Sequence, residues 1–90
     1  MELKDTVKRM QSEDYKERFK AEYYQTKIRY EKLKHFNTVI EAAEMTGFMD
    51  NAVEMPDHDC PLDLLRTQQG IMGEYLHILE VRAVIEGIEL

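Results

Sequence analysis

Apolar residues recur along most of this chain at the three-to-four spacing of an amphipathic helix, with no sustained alternation of period two. Leu3, Val7 and Met10 open the series, and Ser12 followed by Glu13 and Asp14 has the form of a cap with acids in the first turn. The pattern predicts a short helix over 1–11, a break at Gln11 to Ser12, and a long helix over 13–46, a stretch without glycine or proline. At about 100° per residue, Tyr15, Phe19, Thr26, Leu33 and Ile40 share one stripe of that helix. The stripe is polar for a core face: Glu22 and Asn37 lie within it, Tyr23 and Tyr30 flank one side, and Arg18, Arg29 and Phe36 flank the other. Gly47 is placed to end the helix in the left-handed conformation.

Residues 47–60 mix turn formers with Phe48, Met49, Val53 and Met55, which predicts a connector packed back on the helices through those four side chains. Pro61 suits the first position of a second helix over 61–86. That helix carries two apolar lines. Leu62, Leu65, Met72, Leu76, Leu79 and Ala83 run with Gln69, while Leu64, Ile71, Tyr75, Ile78 and Ile85 run roughly 100° or more away. One helix partner cannot cover both, and a second line left in water would mark an interaction site. A homo-oligomer is therefore expected, with the connector lying over the second line as the alternative. The fold class is all-α: a helical hairpin of two long antiparallel helices with a short N-terminal helix, oligomerising, in a single domain over 1–90.

Length and composition narrow the picture. A domain of 90 residues buries only about 60 to 65% of its unfolded surface, so its core is modest and self-association would extend it. Cys60 is the only cysteine, which excludes an internal disulfide. No secretory h-region follows Met1 and no run approaches the ~18 apolar residues of a span, so a cytoplasmic protein away from membranes is expected. The net charge of −6 hides a strong asymmetry. Ten of the twelve Lys and Arg and four of the five Tyr lie before residue 36, giving that part +3 and the remainder −9. The acidic total argues against duplex DNA, and the fourteen-residue connector against a helix-turn-helix reader. A basic, aromatic-rich half suits a ligand that offers phosphates and bases.

Candidate chemistry is sparse. Asp57-His58-Asp59-Cys60 lacks the ligand spacing of a metal site, so neither metal nor cofactor is expected. Ser12 and Cys60 sit in no nucleophile motif, and the four glycines are scattered rather than gathered into a phosphate-cradling loop. The chain reads as a binder and not an enzyme. Lys16, Glu17, Lys20, Lys27, Glu31 and Lys34 form a solvated face with Lys27 and Glu31 as an attractive pair. Tyr15, Arg18, Arg29 and Lys32 differ because they lie on or beside the inward stripe. Stacking a base on a ring contributes about 1 to 3 kcal/mol, and guanidinium groups bind phosphate in a fork. Glu22 is placed to hold Arg18 or Arg29, and a buried Arg and Glu pair fixing oligomer register accounts for the same residue types equally well.

The run Tyr15-x-x-Arg18-x-x-x-Glu22, continuing to Lys32-Leu33-x-x-Phe36, resembles part of a known pattern. With Leu64-Leu65-x-x-Gln68-x-x-x-Met72-x-x-Tyr75-x-x-x-Leu79-x-x-Arg82, it is similar to the phage anti-CBASS (type 2) sponges, which sequester cyclic oligonucleotide signals of bacterial defence and are related to anti-Thoeris sponges. The resemblance covers about half the chain. It implies a hairpin assembling into a homo-oligomer, commonly a hexamer, in the cytoplasm of the bacterial host. It also implies cyclic dinucleotides such as cGAMP bound between protomers without cleavage. Tyr15 matches the stacking aromatic and Lys32 the phosphate-binding cation, with Arg18 and Arg29 nearby. Cyclic trinucleotides would sit at a separate junction, to which Arg82 is the candidate contributor. Thr26 and Lys20 stand where that pattern is usually apolar, and the connector is long. The rival reading is a small helical adaptor or inhibitor that uses the second apolar line to bind another protein.

Overall fold

A computed structural model describes residues 1–90, and all of its regular structure is helical. A 3-10 turn over Leu3–Thr6 runs into a single turn, α1 (Val7–Met10), followed by α2 (Tyr15–Thr46) and α3 (Leu62–Glu86). The 32 residues of α2 extend about 48 Å and set the long dimension of a 54 × 24 × 21 Å molecule.

The helix ends show why the boundaries fall where they do. Asp14, not Ser12, caps α2: its carboxylate accepts from the Lys16 backbone N–H at 2.9 Å, while the Ser12 hydroxyl accepts from the Asp14 N–H at 3.0 Å. At the other end Gly47 is right-handed, with φ −59°, contrary to the expected left-handed stop. Thr46 unwinds the helix instead. Its hydroxyl donates to the Ala42 carbonyl at 2.7 Å and accepts from the Val53 N–H at 3.0 Å, and its carbonyl accepts from the Met49 N–H at 2.9 Å. The left-handed glycine is Gly87, at φ 69°, where the Ile88 N–H reaches back to the Ala83 carbonyl at 2.8 Å and turns Ile88 into the core. Pro61 lies one residue before α3, and its carbonyl receives the Leu64 and Leu65 N–H groups.

α2 and α3 pack antiparallel, as their cross-contacts show: Tyr15 meets Glu86, Tyr23 meets Glu80, and Asn37 meets Leu65 and Gln69. Phe19, Tyr23, Leu76, Leu79, Ala83 and Ile88 form the core, with Tyr24 and Tyr30 packed against it. The first apolar line of α3 thus fills the seam. The second remains bare, with Leu64, Ile71, Ile78 and Ile85 exposed and Ile85 at 77%. The connector does not cover it. It meets α2 instead, where the His58 ring stands edge-on to Phe36 at 6.3 Å. The four apolar connector residues expected to pack inward are all exposed, Phe48 at 88%. The segment is too short of internal hydrogen bonds to form a layer of its own and touches α2 through Pro56 and His58.

The opening segment lies on the opposite side of α2 from α3. Gln25 Nε2 donates to the buried Thr6 hydroxyl at 2.8 Å and to Met10 Sδ at 3.5 Å, Arg9 pairs with Glu17 at 3.6 Å, and its guanidinium lies 5.7 Å from the Tyr24 ring centroid. Only 11 residues are buried, so a single seam between two helices supplies most of the apolar burial. No helix is long and apolar enough to cross a membrane.

Candidate functional site

The residues singled out by sequence separate into two groups. Tyr15 and Lys32 are seventeen positions apart on one straight helix, about 25 Å along its axis. A single nucleotide cannot touch both within one chain.

At the Tyr15 end, three side chains close a ring of hydrogen bonds. Arg82 donates from Nη2 to the Tyr15 hydroxyl at 2.6 Å and from Nε to Glu86 Oε2 at 3.1 Å, and the Tyr15 hydroxyl donates to Glu86 Oε1 at 3.0 Å. The guanidinium lies 5.1 Å from the Phe19 ring centroid, and Tyr15 meets that ring edge-on at 6.1 Å. Two helical turns along α2 from Tyr15, the Tyr75 hydroxyl bonds to the Glu22 carboxylate. The hydrogen bond to Glu86 raises the Tyr15 pKa, with burial adding and Arg82 opposing; the bond to Glu22 raises that of Tyr75. Both phenols are neutral donors at physiological pH. Glu86 holds Arg82 charged, raising its pKa further.

The structure therefore joins Tyr15 to Arg82, which the sequence had placed at a separate junction. It also gives Glu22 a phenol partner rather than Arg18 or Arg29. Arg18 donates from Nη1 to the Ser12 and Glu13 carbonyls, at 2.9 and 2.8 Å, and so splints the chain just ahead of α2. Its charge is spent on backbone dipoles.

Arg29 and Lys32 are exposed, lie three apart on one face of α2 and take part in no ion pair. Lys32 borders two clefts. One, of about 500 Å³, is lined by Glu31, Lys32, His35, Phe36, Val39 and Pro56. The other, of about 420 Å³, is lined by Met1, Tyr24, Lys27, Ile28, Glu31 and Lys32. Volumes of a few hundred Å³ with mixed apolar and cationic walls fall in the range of small-molecule sites. Sequence reading had set Glu31 and Lys27 aside as a solvated ion pair, whereas Lys27 lies 5.9 Å from the Tyr23 ring centroid. Tyr24 and the pairing of Phe36 with His58 went unnoticed because both depend on where the opening segment and connector come to rest. No group of three or more His, Cys, Asp and Glu side chains is arranged to hold a metal ion.

A protein-family model described as Sequestin matches residues 13–85, from just before α2 almost to the end of α3. No curated protein and no solved structure matches the chain.

Proposed function

This chain belongs to the Sequestin family, and from that premise we propose that it is a sponge. It holds a cyclic nucleotide second messenger of bacterial anti-phage defence without cleaving it. The family match carries the reading, because it spans Tyr15, Arg18, Arg29, Lys32 and Arg82 together and its name denotes sequestration. Cyclic dinucleotides such as cGAMP are the proposed ligands, with cyclic trinucleotides as a second class. The unpaired Arg29 and Lys32 support phosphate binding, since an incoming anion displaces no carboxylate there. The protein is a binder rather than an enzyme, working in the cytoplasm of the host of a phage, by mass action. Blunting a submicromolar signal takes a Kd near nanomolar, about −12 kcal/mol.

The bare line of α3 supports a homo-oligomer, with a hexamer as the proposed assembly. Within it, Tyr15 would reach a phosphate at Lys32 only from a neighbouring protomer. The same bare line favours the adaptor as a second reading. Calorimetric titration with cyclic nucleotides carrying one, two or three bases, with solution mass measured on the same sample, separates the two. A sponge binds one class tightly at simple stoichiometry and releases it intact on denaturation. Recovery of linearised nucleotide makes the protein an enzyme, and no binding across the panel leaves the adaptor.

A further inference from the structure

The hairpin closes at one end through residues 45–59, and this tip turns its apolar side chains outward. Thr46 gathers the turn. Its carbonyl accepts from the Met49 N–H at 2.9 Å and its hydroxyl from the Val53 N–H at 3.0 Å, while the Met49 carbonyl accepts from the Ala52 N–H at 3.2 Å. Pro56 and His58 then rest against α2 beside Phe36. Backbone polar groups are thus used inside the turn, and Met45, Phe48, Met49, Val53 and Met55 stand exposed around it, Met45 at 68%. An apolar surface of this kind, held in place and rimmed by polar residues, marks an interaction site. Three of its five side chains are methionines, which are flexible and polarisable and adapt to the contour of a partner.

The charge around this surface decides what can lie on it. Between Lys34 and Arg66 there are seven Asp and Glu and no Lys or Arg, whereas the rest of the chain holds eleven acids against twelve Lys and Arg. The net charge of −6 therefore belongs to the tip. None of those seven acids is in an ion pair, so an incoming cation displaces no partner there. A second tip would meet like charge, and the remainder of a second copy, close to neutral, offers no field to draw it in. Anionic membranes and nucleic acids are repelled for the same reason. We propose that the tip docks a basic amphipathic segment of another protein. Its apolar face lies on Phe48 and the methionines, and its Lys and Arg reach Asp50, Glu54 and the neighbouring acids. This activity is independent of nucleotide sequestering and of the bare line of α3.

The test is fluorescence anisotropy of a labelled synthetic peptide of Leu and Lys, patterned as an amphipathic helix, titrated with the full chain at about 0.15 M salt. Two control peptides carry Glu in place of Lys, or Ser in place of Leu. The Leu and Lys peptide should bind saturably and at least about tenfold more tightly than either control. Variants are first shown to be folded by circular dichroism. Phe48→Ser with Met49→Ser should weaken binding about tenfold, and Asp50→Lys with Glu54→Lys at least as much. Glu13→Lys with Glu89→Lys makes the same change in net charge at the far end of the hairpin and should stay within about twofold, as should Ile78→Ser on α3. No binding of the Leu and Lys peptide overturns the proposal, as does equal binding of the Ser control, which would reduce the contact to charge alone. Loss of binding in Ile78→Ser would move the peptide to α3 and overturn it too. Solution mass of the protein without peptide gives the remaining check: a mass lowered by Phe48→Ser with Met49→Ser would mean that the tip is covered by a second copy, and the proposal fails.

Discussion

Gly73 lies midway along α3 where the two long helices approach closely, and a Cβ added there would stand 3.3 Å from Tyr30 Cε1, 3.5 Å from its Oη and 3.6 Å from Cζ. Gly73→Ala sets two effects against each other. Alanine inside a helix is favoured over glycine by about 0.8 to 1.0 kcal/mol. Carbon atoms prefer about 3.5 to 4.0 Å, so the ring must retreat by a few tenths of an ångström. Tyr30 is half-buried and borders a cleft of about 200 Å³ beside Lys27 and Glu80, which gives its ring room to move. The retreat should cost about half of the gain, leaving a net stabilisation of about 0.5 kcal/mol and a Tm increase of about 2 to 4 °C. Gly70 has nothing within 4 Å of an added Cβ, so Gly70→Ala should realise the whole gain and serves as the reference. Urea and thermal unfolding by circular dichroism, at fixed protein concentration, would compare the two. With Tyr30→Ala in the background, the two alanine substitutions should become equal, which isolates the contact as a double-mutant cycle. The reasoning fails if Gly73→Ala destabilises by more than about 1 kcal/mol while Gly70→Ala stabilises, since the ring would then be locked and the helices forced apart.

Three further outcomes are expected. Burial, reinforced by a 2.6 Å hydrogen bond to Glu80, pushes the Tyr23 pKa up to about 12. Its contribution to stability is therefore intact below about pH 10 and lost as pH rises toward 12, by up to about 3 kcal/mol; ultraviolet titration should find Tyr23 the last phenol to ionise, a step absent in Tyr23→Phe, and five phenols ionising together near pH 10 would refute this. Asn37 is buried with Nδ2 bonded to the Leu65 carbonyl and Gln69 Oε1, so Asn37→Asp should cost about 3 kcal/mol or more at pH 7. That loss should shrink on acidification as the carboxyl becomes a donor, and a pH-independent melting curve would count against it. Leu79→Ala empties a site only 1% exposed in the middle of the seam and should destabilise by about 3 kcal/mol in denaturant titration; a loss below about 1 kcal/mol would mean the seam closes over the gap.

The long helices were legible because their signal is periodic: the α3 line through Leu76, Leu79 and Ala83 fills the seam, and the line through Ile71, Ile78 and Ile85 stays bare. Endings were harder to read. Ser12 and Asp14 both offer a side-chain oxygen near the first free N–H groups, and only backbone direction decides that Asp14 caps α2. Gly47 permitted a left-handed stop without requiring one, and Thr46 supplied another exit. In the candidate site, residue types marked Tyr15, Arg18, Arg29 and Lys32 as cations and rings worth following, but type does not reveal prior commitments. Arg18 proved to be bound to two carbonyls of its own chain. Tyr15 and Arg82, sixty-seven residues apart, came together through a helix register that periodicity alone does not fix. The likeness to sponges led to a sequestering family, the level at which the family match agrees.

The way Arg18 is held has a consequence for acid tolerance. Its two acceptors are peptide carbonyls, and the Gln25 bond to Thr6 joins an amide to a hydroxyl, so none of these groups loses or gains a proton between pH 2 and 10. That joint carries Met1 to the wall of a cleft on α2, so its tie to α2 through Gln25 is indifferent to pH, whereas the turn beside Met1 is held by the Asp5 carboxylate, which accepts from the Glu2 N–H at 2.8 Å.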